Sequence, residues 1–120
     1  MPAGSARLGL ATLAVAVCFA AMSQPTAAQD SGKPAADAAG KIEKGKELFA
    51  DFACGSCHSL SDAGATGHVG PSLDGDRDLT QAFIVDRLTN GKGGMPAFAG
   101  QLSPEETDAL AAYVIHAAGK

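Results

Sequence analysis

Apolar residues recur at helical spacing in three separate stretches of the chain. From Lys41 to Phe52 (KIEKGKELFADF), Ile42, Leu48, Phe49 and Phe52 fall on one side of a helix. Gly45 interrupts that stretch at a cost of roughly 1 kcal/mol against alanine, which makes sense if another helix crosses closely there. A second, shorter helix follows Asp78 or Thr80 as its cap, with Phe83, Ile84, Val85 and Leu88 as apolar positions and Asn90-Gly91 as its stop. A third opens at Ser103. Serine as cap, Pro104 at the first helical position and Glu106 three residues after the cap form a capping box. Leu110, Val114 and Ala118 then repeat every fourth residue beside Tyr113 and Ala117, and Gly119 ends the run.

The segments between, His68–Asp78 (HVGPSLDGDRD) and Lys92–Gln101 (KGGMPAFAGQ), carry glycine, proline and aspartate without a sustained period and read as loops. No stretch alternates as a strand would. The pattern predicts an all-α domain over 41–120, with three to four short helices joined by long loops. Loops of that length in a small domain usually serve a site. Residues 29–40 (QDSGKPAADAAG) lack periodic apolar positions and read as a flexible leader.

Residues 1–28 have the form of a secretory signal: Arg7 precedes the apolar run Leu8–Ala21, and small residues follow up to a cleavage point near Ala28. The run is shorter than the roughly 20 residues that a membrane-spanning helix needs, so the expectation is export to the periplasm with no stable membrane insertion after cleavage. Cys18 lies inside the run and would leave with it. The whole chain has 120 residues and a formal charge of −4, and loss of Arg7, the only charge in the signal, makes the mature protein −5. An acidic surface argues against nucleic acid and for a basic docking partner. Aromatic residues make up only 5 % and tryptophan is absent, so the side chains supply little material for a core.

The chemistry is concentrated in Cys54-Gly55-Ser56-Cys57-His58. A zinc site would need a fourth ligand, and neither His68 nor His116 falls at the spacing that completes one. An iron–sulfur cluster usually needs four thiolates. A redox dithiol expects a βαβ setting, which the strand-free pattern does not offer. C-x-x-C-H is the attachment pattern of c-type haem: two thiols on one turn reach two vinyl groups of one porphyrin, and the next residue offers its imidazole to the iron. A haem would also supply the missing core. Methionine sulfur as second axial ligand raises the reduction potential and closes the iron to substrates. Met95, in GGMPAF, is the one methionine left in the mature chain, with His68 and His116 as rival donors.

In order, G-K-E-L-F (Gly45–Phe49), C-G-S-C-H (Cys54–His58), G-P-S-L (Gly70–Leu73), G-M-P (Gly94–Pro96) and a capped C-terminal helix with Leu110, Ala112, Tyr113 and Val114 resemble a small bacterial class I cytochrome c over residues 41–119. The resemblance implies N- and C-terminal helices crossing near Gly45, with Phe49 and Tyr113 beside the crossing. It also implies one haem c bound through Cys54 and Cys57, axial ligands His58 and Met95, and a Pro71 carbonyl that accepts from the His58 ring. The function it implies is one-electron transfer between redox protein partners rather than enzymatic catalysis, as a free carrier or as the haem-bearing subunit of a dehydrogenase complex. The tryptophan that many relatives place near a haem propionate is missing, which leaves Arg77, Arg87 and Lys92 as candidates for that contact.

Overall fold

A computed structural model describes residues 33–120; the signal assigned to 1–28 and the start of the leader lie outside the described residues. Helix α1 spans Lys33–Asp51, α2 spans Gln81–Asn90 and α3 spans Pro104–Ala118. Two 3-10 turns, Cys54–Ser56 and Ser61–Ala63, and a minimal antiparallel hairpin of β1 (Ser59–Leu60) and β2 (Ala65–Thr66) stand between α1 and α2. Two differences from the sequence reading have physical causes. The leader expected over 29–40 is helical from Lys33 on, although residues 35–41 are exposed, so alanine propensity rather than burial carries that part of the helix. The strands are two residues long, too short to show alternation.

The main packing is α1 against α3, with α2 resting on α3. At the crossing the helices touch through backbone. A Cβ added at Gly45 would stand 2.5 Å from Cβ of Tyr113 and closer still to the Ala109 carbonyl oxygen. One turn further along α1, Phe49 meets Tyr113 edge-on, with ring centroids 5.8 Å apart. Leu48, Leu110 and Val114 complete this buried layer. The α3 start matches its reading: Ser103 Oγ accepts from the Glu106 N–H at 3.2 Å and the Glu106 carboxylate accepts from the Ser103 N–H at 3.0 Å. The Ser103 N–H, with a smaller contribution from its hydroxyl, holds the Glu106 carboxyl below its ordinary pKa. Thr80 caps α2 by accepting from the Phe83 N–H at 3.2 Å.

Two carboxylates tie the elements together. Asp108 on α3 pairs with Lys41 on α1 and accepts from Gln81 Nε2 on α2 at 2.5 Å. Asp62, in the second 3-10 turn, accepts from Lys120 at 2.7 Å, from the Tyr113 hydroxyl at 3.0 Å and from Lys46 at 3.2 Å. Those three donors, Lys120 first, hold the Asp62 carboxyl far below the usual carboxylate range. Burial, and then the hydrogen bond to Asp62, push the Tyr113 phenol far above its ordinary value. The one hydroxyl at the helix crossing is therefore a neutral donor with a fixed acceptor.

Gly45→Ala should destabilise the protein by about 1–3 kcal/mol in chemical denaturation, because overpacking against Ala109 and Tyr113 outweighs the gain in helix propensity. Asp62→Asn should lower the denaturation midpoint at neutral pH. The Asp62 pKa is depressed in the folded state, so its stabilisation is present above the unfolded value of about 3.9 and is lost as pH falls towards the folded one. Denaturation curves of the variant and the wild type should therefore converge in acid.

Candidate haem site

Helix α1 ends at Asp51, and the chain reverses through Ala53, whose φ of 51° lies in the left-handed region. The Ser56 hydroxyl donates to the Ala53 carbonyl at 2.7 Å, and the Cys54 carbonyl accepts from the N–H groups of Cys57 at 3.1 Å and His58 at 3.0 Å. This tight turn brings Cys54, Cys57 and His58 to the wall of one cavity of about 680 Å³, within the range of cofactor sites. The two cysteines are not joined in a disulfide, and burial pushes the Cys54 thiol upward.

The loop after the hairpin folds back over the imidazole. The Gly70 N–H donates to the Cys57 carbonyl at 2.8 Å, and a Cβ at Gly70 would meet the His58 ring at 2.5–3.0 Å. Only glycine lets this backbone lie so close to the ring. The next residue completes the arrangement: His58 Nδ1 and the Pro71 carbonyl oxygen are 2.8 Å apart. Since the carbonyl can only accept, Nδ1 carries the proton and Nε2 keeps its lone pair for a metal.

Met95 reaches the same cavity from the loop after α2. Lys92 and Met95 exchange both of their backbone hydrogen bonds, each 3.0 Å, and the Phe98 N–H donates to the Leu88 carbonyl at 2.8 Å, tying the loop to α2. Phe98 packs edge-on against Phe52, centroids 5.7 Å apart. Leu73, Leu79, Ile84 and Leu88 supply much of the remaining apolar wall. The structure thus gathers all five residues singled out from the sequence, Cys54, Cys57, His58, Pro71 and Met95, around one space. His68 and His116 are exposed and take no part in its lining, and of the three propionate candidates Arg87 and Lys92 line it while Arg77 does not. Among the described residues no three His, Cys, Asp or Glu side chains cluster as a site for a metal ion held by such side chains alone. The contact of Gly70 with the imidazole escaped the sequence reading; its one signal is a glycine directly before Pro71.

Two thiols, an imidazole with Nε2 available and a thioether, set around an apolar cavity, are a donor set that fits a covalently held tetrapyrrole. Comparison with known proteins agrees. Residues 40–114 match the family described as cytochrome c oxidase, cbb3-type, subunit III. Cytochrome c6 of Synechocystis sp. is 34 % identical over 89 residues, 68 % of this chain and 70 % of that protein. Cytochrome c6 of Diacronema lutheri is 34 % identical over 88 residues, 67 % of this chain and the whole of that protein. The crystal structure of the c-type cytochrome SorU from Sinorhizobium meliloti superposes with a TM-score of 0.60 at 41 % identity, over 67 % of this chain and 93 % of that one. Fold, donor set and relatives coincide, and the chain belongs to the cytochromes c as a small class I electron-transfer protein, a family whose haem c is covalently bound.

Proposed function

We propose that the protein is a periplasmic carrier of single electrons, in which Cys54 and Cys57 would hold one haem covalently and His58 and Met95 would ligate its iron. The observation that carries this reading is the convergence of His58 and Met95 on one cavity, with the imidazole tautomer set by Pro71. When bound, the haem supplies the one-electron couple. The residues of the chain do the rest. The Pro71 carbonyl draws on the Nδ1 proton, which orients the imidazole and strengthens Nε2 as a donor. Met95, held by its paired bonds to Lys92, offers a sulfur that raises the potential and shuts out exogenous ligands. Leu73, Ile84, Leu88 and Phe98 keep water away, so little has to reorganise when the charge changes.

Such a function needs no substrate pocket, only brief docking over a small interface of under about 1,200 Å². The net negative charge favours a basic partner and a faster encounter at low salt. Among the described residues no helix is long and apolar enough to cross a membrane. A second reading, a haem-bearing subunit that passes electrons inside a stable oxidoreductase complex, draws support from the oxidase-subunit family that the chain matches. Co-purification with other subunits at high salt favours that reading, and loss of all partners there favours the free carrier.

The oxidised protein should absorb in the far-red band of sulfur-ligated haem; absence of the band would contradict the role given to Met95. Met95→His should keep the haem, lose that band and lower the reduction potential, because imidazole replaces the sulfur donor. An unchanged potential in the variant would count equally against it.

A further inference from the structure

The reading above leaves one part of the site without an assignment. A haem carries two carboxylates on the edge of the ring away from the thioethers, and a carboxylate beside an apolar cavity is costly unless it is paired. The cavity lining holds three residues with aspartate, arginine or lysine side chains: Asp76, Arg87 and Lys92. Asp76 has the wrong sign, and its Oδ1 accepts from the Asp78 N–H at 3.0 Å. Arg87 lies in the last turn of α2 and Lys92 directly after the Gly91 stop, so both cations come from one short stretch. That stretch lies apart from the cysteine turn, since α2 packs on α3 and makes no substantial contact with Cys54–Ser56.

Arg87 is held ready for an anion. Its guanidinium lies 4.6 Å from the centroid of the Phe83 ring, and its Nη1 donates to Asp86 at 2.5 Å. Asp86 is itself fixed by the Asn90 amide at 2.8 Å. One terminal nitrogen is thereby engaged, while the guanidinium fork has further N–H donors suited to a second carboxylate. This also gives a reason for Phe83, a large apolar side chain left 45 % exposed on α2: it is the platform for the guanidinium. Lys92 has its backbone locked to Met95 on both sides of the turn, and its ammonium makes no ion pair with any described residue. Arg77, between Asp76 and Asp78, stands outside the lining.

We propose that Arg87 and Lys92 bind the two haem propionates, with Arg87 as the oriented, forked partner and Lys92 as the mobile one, and that the pair sets the charge felt at the redox centre. The proposal rests on the haem being held as described above. Loss of either cation leaves a carboxylate charge uncompensated, which favours the oxidised state and lowers the reduction potential.

Potentiometry of the purified holoprotein at neutral pH and low ionic strength tests this, together with redox-difference infrared spectra of protein whose propionates carry a carbon-13 label. Arg87→Gln and Lys92→Gln should each lower the potential and shift the labelled carboxylate bands. Arg87→Lys should recover part of the potential, and Arg77→Gln should leave both readouts where they are. Should Arg87→Gln fail to mature, Lys92→Gln, a change at an exposed side chain, still decides. Bands and potential unchanged in both glutamine variants, or moved as far by Arg77→Gln, would overturn the assignment. A wild-type protein without covalent haem would instead overturn the reading beneath it, so the two failures are distinguishable.

Discussion

The constraint on which this structure depends is that its side chains line a partly open, largely apolar cavity of about 680 Å³ in a small domain without tryptophan. Close packing is the normal condition of a protein interior, and the apolar side chains along such a cleft gain by packing on a large apolar group. Leu48, Phe49, Leu110 and Val114 bury themselves between α1 and α3. Leu88 belongs to the same buried cluster and Met95 and Phe98 pack against it, and all three also line the space a cofactor would fill. A covalently attached ring gives the short elements a common surface to pack on.

Each loop then has a task. The turn over Cys54–Ser56 aims two thiols and an imidazole into one space, and the hairpin brings Gly70 and Pro71 back over the ring of His58. The Lys92–Met95 turn delivers the sulfur. The same turn carries one of the two cations that border the cavity, so the sulfur proposed as a ligand and a charge close to it share a short piece of backbone. The helices serve as a frame, locked by the Gly45 crossing and by Asp62, which joins α1, a 3-10 turn and the end of α3.

Much of this was legible in the residues alone, for reasons that differ from place to place. The capping box at Ser103 is a local motif and is found as read. The Gly45 crossing could be anticipated because a glycine in an otherwise strong helix needs a tertiary reason. Cys54, Cys57, His58 and Met95 stood out because few side chains do that chemistry and their order along the chain is restrictive. The start of α1 was missed because an exposed alanine-rich turn has propensity without apolar period, and the hairpin because two residues cannot display alternation. The Asp62 hub was beyond reach, since its donors lie 16, 51 and 58 residues away in sequence. Nor could the chain alone separate Arg87 and Lys92 from Arg77, a distinction that comes from the path of α2 past the cavity.

A covalently held ring would complete the interior of this protein. Intact mass under denaturing conditions, on protein exported by cells that possess the haem-attachment machinery, tests this most directly. The result expected is the chain from about Gln29 onward plus one haem, retained through acid-acetone extraction. A colourless polypeptide of unadorned mass that still folds cooperatively would contradict it.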